Sequence, residues 1–380
     1  MGIAELTRNA VDVLPAGGLQ EKLKLGRPLR VKLGIDVTAP DVTLGNGVPL
    51  QRMRAFQDAG HIGVLIVGDY TTRIGDPSGR SEKRPMIDPA EIDANAQRYF
   101  DHACTIIDRE RTEVRFNSEW LGKLDFAEIL RLTRTTTVAR LLERDDFAKR
   151  FAASAPISVS ELLYPLMQAY DSVAVEADVE LGGTDQLFNL LTGREVMEAY
   201  GLAPQVALTV AYLDSWDGTG MSASRGNYIG LAEDPDEQFG KSMRIPDSLL
   251  EQWWTLLAEE SVPFADPLEA KLALARFIVG RAHGDTAAKA AEEHFTQVVR
   301  RGEAPDDVPE IRLPEGDPVH LPALIVEQMG VVSTSEARRL IAQGGVKVNG
   351  TPAAGLDLPR ASLAGALLQV GKRRFARVTP

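Results

Sequence analysis

The most specific chemistry in this sequence lies in three polar residues at helical spacing. Tyr164, Gln168 and Asp171 stand at i, i+4 and i+7. A helix puts their phenol, amide and carboxylate on one stripe. Leu163, Leu166, Met167 and Tyr170 surround them with apolar surface. Polar groups in such surroundings destabilise the fold unless they find partners. A ligand with matching donors can supply those partners, and so can a hydrogen-bonded core network. Four other segments carry chemistry. Gly34 to Gly47 is a Gly- and Pro-containing loop holding Asp36, Thr38, Thr43, Gly45 and Asn46. Placed between a strand and a helix, it offers backbone N–H groups to an anion. Gly75-Asp76-Pro77-Ser78-Gly79-Arg80 reads as a tight turn that would fix the Asp76 carboxylate, either for an ammonium group or as a turn with no ligand. Glu180-Leu181-Gly182-Gly183-Thr184-Asp185-Gln186 reads as a strand end running into a helix. There Gly183 permits close backbone approach and Asp185 can hold ribose hydroxyls. Asp217 to Asn227 holds Met221, Ser222 and Ser224, and its small polar composition reads as a mobile loop.

These segments need a scaffold, and the pattern around them predicts α/β. Apolar runs at Val31–Asp36 and Val64–Asp69 read as buried parallel strands. Further strands are expected at Thr112–Asn117, Ala177–Leu181 and Val206–Leu213, with helices between them, one near Pro49–Asp58. Strands alternating with helices imply a parallel sheet with right-handed crossovers and ligands at the strands' carboxyl ends. The predicted organisation is a catalytic domain over 1–232, a helical domain over 233–302, a Pro- and Asp-rich linker over 303–317 and a small domain over 318–380.

Composition narrows the class. The 380 residues carry a net charge of −12, which disfavours nucleic-acid binding by the protein as a whole. Residues 318–380 run the other way, with eight basic against three acidic side chains. This basic tail on an acidic body is the footprint of a polyanion-binding module. The single cysteine, Cys104, forms no disulfide within the chain and fits a reducing, cytoplasmic setting. The five histidines show no metal-ligand spacing, and no apolar run is long enough to span a membrane.

Taken in order and spacing, the segments resemble the bacterial tyrosyl-tRNA synthetases, in the branch whose first motif runs VKLGxDPTAPDxHLGH. The similarity extends through Asn117–Leu124, Leu142–Phe147, Tyr164–Val173 and Gly226–Leu231 into the tail, at Ser335–Ile341, Gly344–Gly350 and Leu368–Phe375. The resemblance implies a class I Rossmann-type catalytic domain carrying a helical dimerisation segment at about 85–175, and a C-terminal α+β RNA-binding module. It implies a homodimer that joins tyrosine to tRNA through a tyrosyl-adenylate, using ATP with Mg²⁺. Carried over, Asp76, Tyr164 and Gln168 surround the substrate ammonium and Asp171 reads the phenol hydroxyl. Gln186 lies near the carboxylate. Gly34, Asp36, Thr38, Gly45, Gly183, Asp185 and Met221 fall on the nucleotide side. Arg338, Arg339, Lys347, Lys372, Arg373 and Arg374 fall to the RNA, and no metal site is implied in the protein itself.

The departures are concentrated. Where the family has His-Leu-Gly-His, this chain has Thr43-Leu44-Gly45-Asn46. Where it has Lys-Met-Ser-Lys-Ser, this chain has Gly220-Met221-Ser222-Ala223-Ser224. Catalytic roles at these positions fall to Thr43, Asn46, Ser222 and Ser224. Losing one donor to a developing charge costs about 2.7–4 kcal/mol, or ~10²–10³ in rate. The losses touch phosphate handling and leave the tyrosine, ribose and RNA positions in place. Three readings follow: a tyrosine–tRNA ligase with substituted signatures, a paralogue using tyrosine, tyrosyl-adenylate or tyrosyl-tRNA in other chemistry, or a non-catalytic binder of tyrosine or tRNA.

Overall fold

The structure is a computed structural model that describes residues 2–36, 41–73, 89–301, 304, 308–371 and 374–379. Thr38, Asp76, Lys372 and Arg373 lie outside the described residues. The chain divides into two compact units, one of residues 1–234 with 241–282, the other of residues 235–240 with 283–380.

The first unit is built on a six-stranded sheet. Its strands are β1 (Ala10–Leu14), β2 (Arg30–Ile35), β3 (Ile62–Val67), β4 (Thr112–Phe116), β5 (Val179–Gly183) and β6 (Val206–Val210), in the order β1-β6-β5-β2-β3-β4. Five run parallel, and β1 joins β6 antiparallel at the edge. β1 does not show in the hydrophobic pattern because an edge strand is only half covered: its residues are intermediate or exposed. β3 and β6 are buried almost throughout, as strands covered on both faces must be. The chain moves outward from β2 to β3 and β4 on one side, whereas β5 and β6 lie on the other. The carboxyl ends of β2 and β5 therefore flank the point where strand order reverses. Open α/β sheets bind ligands there.

Two helices bring side chains to that point. The first spans Leu44–Asp58, earlier than the sequence pattern placed it. Pro49 inside it lacks the N–H that would continue the ladder. The helix starts upstream because Thr43 and Asn46 form a capping box. The second spans Val159–Ala174, capped by Ser158 and Glu161, and carries the Tyr164, Gln168 and Asp171 stripe.

A buried ion pair ties this second helix to the sheet. Lys32 in β2 and Glu180 in β5 are 0% and 1% exposed, and their charged atoms are 2.9 Å apart. The Lys32 ammonium also donates to the Gln168 carbonyl at 2.9 Å and to Ser172 Oγ at 2.8 Å. Glu180 accepts from Gln168 Nε2 at 3.1 Å, from Ser172 Oγ at 3.2 Å and from Gln205 Nε2. Both charges are thus fully answered.

The second unit has its own apolar core and a five-stranded sheet. The helices Leu321–Met329 and Thr334–Ala342 pack with strands Val346–Val348, Leu367–Val370 and Arg374–Thr379.

Breaking one side of a buried pair strands the other charge at a cost of about 3–5 kcal/mol. Lys32→Met should lower stability by that amount in urea unfolding. Adding Glu180→Leu should recover much of it; failure to recover would mean that the pair is not the tie.

Candidate active site

A cavity of about 280 Å³ opens where β2, β5 and β6 end. Its walls include Gly34, Asp36, Thr43, Gly45, Asn46, Tyr164, Gln168, Asp171, Gly183, Asp185, Gln186 and Met221. Twelve positions picked from four separate segments thus face one space. Ser222 and Ser224 are not among its lining residues; their hydroxyls sit 2.9 Å from each other.

The half nearest the Val159–Ala174 helix is a chain of polar contacts around two carboxylates. Tyr164 donates its hydroxyl to Asp36 at 3.1 Å, and Thr71 donates to the other Asp36 oxygen at 3.2 Å. Asn117 donates to Thr71 at 3.1 Å and to Asp171 at 3.4 Å, and Trp120 Nε1 donates to Asp171 at 2.8 Å. A Cβ on Gly68 would lie 2.4 Å from both Asp36 Oδ1 and Thr71 Oγ1, so a glycine is needed behind this pair. Asp171 is 4% exposed. Burial raises its pKa to about 7, against the opposing pull of Lys32, Trp120 and Asn117. It is an acceptor held by two donors at the cavity wall, suited to a third donor from a ligand.

Gln168 is spent differently from the sequence expectation of an amide facing a ligand ammonium. Its Nε2 reaches Glu180, and its oxygen accepts from Asn189 at 3.0 Å. Asn189 also donates to Gln186 at 2.9 Å, and Gln186 to Asp185 at 3.1 Å. Lys32, Glu180, Asn117, Trp120, Thr71 and Asn189 were not singled out from the sequence. The signal for two of them was present: a charge at the centre of an apolar strand run, in Val31-Lys32-Leu33 and in Val179-Glu180-Leu181, requires a buried partner.

The other half holds the substituted motifs. The Thr43 backbone N–H and hydroxyl both donate to Asn46 Oδ1 at 2.9 Å, and the Asn46 N–H returns to Thr43 Oγ1 at 3.2 Å. These side chains close the helix start upon each other. Met221 packs beside Gly45, where an added Cβ would meet it at 3.6 Å. The loop after β6, expected to be mobile, is a hydrogen-bonded turn. The Ser222 N–H donates to Asn227, whose Nδ2 donates to Asp217 and Thr219 at 3.0 Å. Leu44 N–H to the Ile229 carbonyl and Leu231 N–H to the Val42 carbonyl, at 2.9 and 2.7 Å, join the turn's far end to the helix start.

The tail residues belong to the second unit. Arg339 pairs with Glu336 at 2.6 Å, Arg374 donates to the Gly330 carbonyl at 2.8 Å, Arg338 lies on the Thr334–Ala342 helix, and Lys347 lies on the Val346–Val348 strand. Among the described residues, no group of His, Cys, Asp and Glu is arranged to hold a metal ion.

Sheet, switch point and cavity are those of a class I aminoacyl-tRNA synthetase. A family model described as tRNA synthetases class I (W and Y) matches residues 24–300, and an S4 domain model matches residues 321–354. The chain is 48% identical to the tyrosine–tRNA ligase of Moorella thermoacetica, over 98% of this chain and 94% of that one. It is 45% identical to the tyrosine–tRNA ligase of Thermotoga maritima, over 98% and 96%. Among solved structures, a C-terminally truncated mitochondrial tyrosyl-tRNA synthetase from Aspergillus nidulans superposes with a TM-score of 0.64 at 22% identity, covering 77% of this chain and 92% of that one. The chain belongs to the tyrosyl-tRNA synthetase family.

The raised Asp171 pKa sets a pH dependence. The folded protein holds this proton up to about pH 7, whereas an unfolded aspartate releases it near 3.8. The folded state binds more protons in that window, so this group's contribution to stability falls as pH rises from about 4 to 7. Asp171→Asn should flatten the change between pH 5 and pH 8 by roughly 3 kcal/mol relative to wild type. Identical slopes in urea unfolding would contradict the assignment.

Proposed function

We propose that this family member binds tyrosine and tRNA while its ATP-dependent activation of tyrosine is strongly slowed. Asp171 takes the phenol hydroxyl, and Tyr164 with Asp76 forms the ammonium end, Gln168 being taken up by Glu180 and Asn189. Gln186 lies by the carboxylate, and Gly183 and Asp185 by the ribose. Arg338, Arg339, Lys347, Lys372, Arg373 and Arg374 contact RNA phosphates, and the protein works in the cytoplasm. ATP would enter between Gly34, Asp36, Thr38, Gly45 and Met221, with Mg²⁺ carried on its phosphates. One observation carries the reading: the oxygens of Thr43 and Asn46 are spent on capping the helix. Pyrophosphate leaving from ATP needs preorganised donors. The two signature motifs carry no Lys or His side chain to supply them.

The test is tyrosine-dependent ATP–pyrophosphate exchange. The expected rate is at least about 10²-fold below that of a relative carrying both His and both Lys residues, with tyrosine binding retained on the same sample. Exchange at the relative's rate would overturn the reading. Thr43→His with Asn46→His should raise exchange and lower stability by about 1 kcal/mol through the lost cap.

The chain is also proposed to pair with a second copy. Phe126, Leu130, Val138, Phe151 and Val159 are 49–74% exposed along one stretch of the first unit. Large apolar groups left exposed are the raw material of an association surface. Phe126→Asp with Phe151→Asp should convert a dimer to a monomer in sedimentation; unchanged mass would place the interface elsewhere.

A further inference from the structure

The Leu142–Phe147 segment puts a guanidinium two hydrogen bonds back from the cavity wall. Arg144 directly precedes the Asp145–Ala152 helix, is 5% exposed and pairs with Asp146 at 2.8 Å. Its Nη1 donates to Asn189 Oδ1 at 3.2 Å. Asn189 lies on the Leu187–Ala199 helix and is 1% exposed. Neither residue lines the cavity, whereas Gln168 and Gln186, to which Asn189 donates, both do.

The oxygen and nitrogen of a side-chain amide are alike in shape, so its neighbours decide which way it faces. Here charged groups decide. A guanidinium donates and never accepts, so the Asn189 end that meets Arg144 is the oxygen. The Gln168 nitrogen is held by the buried Glu180, so the Gln168 end that meets Asn189 is also an oxygen. Both constraints turn Asn189 Nδ2 the same way. It donates to Gln168 Oε1 at 3.0 Å and to Gln186 Oε1 at 2.9 Å. With its oxygen taken, Gln186 turns its nitrogen to the side of Asp185, 3.1 Å away. Asp185 is exposed and Asn189 is buried. Asn189 thus holds Gln186 from the interior.

We propose that Asn189 is a positioning residue that keeps the Gln186 nitrogen toward the ligand carboxylate, with Arg144 fixing Asn189 in turn. The proposal rests on the reading above that Gln186 lies by that carboxylate. A carboxylate only accepts hydrogen bonds. The Gln186 nitrogen attracts it, and the Gln186 oxygen in the same place would repel it. The orientation of this amide therefore matters for a ligand acid and little for the corresponding alcohol. Asn189 and Arg144 act through Gln186, without touching the ligand.

The test is calorimetric titration of the full chain with tyrosine and with tyrosinol, which has a hydroxymethyl group in place of the carboxylate. The two share phenol and ammonium, so a general loosening of the pocket weakens both, and their affinity ratio isolates the carboxylate end. Asn189→Leu leaves the charge unchanged and should lower the tyrosine-to-tyrosinol ratio about 10-fold. Arg144→Met with Asp146→Asn removes the guanidinium at constant net charge and should lower the ratio in the same direction. Asp146→Asn alone should keep the wild-type ratio. Should Asn189→Leu fail to fold, the charge-neutral double variant decides. A ratio unmoved in these variants, or one that falls as far in Asp146→Asn alone as in the double variant, would overturn the proposal alone. A wild-type chain that binds neither compound overturns the tyrosine reading as well.

Discussion

A carboxylate shut away from water at the wall of the cavity governs the first unit. Asp171 is held by Trp120 and Asn117, and burial makes its charge costly. Its helix is fixed by Lys32, which reaches across to the Gln168 carbonyl and Ser172 while paired with Glu180. β2, β5 and the Val159–Ala174 helix are thereby tied at the place where strand order reverses. Such a pair adds little net stability compared with well-packed apolar residues. Its value here is positional: the cavity wall is fixed before any ligand arrives.

The two halves of the cavity have different fates because they draw on different atoms. The half nearest the Val159–Ala174 helix is built of side chains hydrogen-bonded to one another around Asp36 and Asp171. At the other half, one helix start serves two demands. Its N–H groups can meet an anion or a cap. In this chain Thr43 and Asn46 supply the cap from within, and the motif after β6 folds into a turn around Asn227 and Asp217. Thr43 and Asn46 thereby serve the helix start, and Asn227 and Asp217 the turn.

Much of this was legible in the sequence. The apolar runs around Val31, Val64 and Val206 became strands within a few residues of expectation, because a fully covered strand shows itself as a continuous apolar run. The i, i+4, i+7 stripe survived as a stripe, since helix geometry fixes which side chains share a face. What escaped notice had no local signature. β1 lies at an edge, where alternation is blurred by half exposure. Asn117, Trp120 and Thr71 reach Asp171 and Asp36 only through the fold. The Gln168 amide is taken up by Glu180 and Asn189, two partners that only the fold brings to it. The start of the Leu44–Asp58 helix was misjudged because Pro49 is a conspicuous break while a Thr-Asn cap is a quiet one.

The most direct measurement of the central claim is calorimetric titration of the purified chain with tyrosine and with phenylalanine. A buried acceptor left unpaired penalises the ligand that lacks a hydroxyl. The account predicts that tyrosine binds at one site per chain and that phenylalanine binds at least about 100-fold more weakly. Equal affinity for the two would contradict it, because Asp171 would then not be reading the ligand.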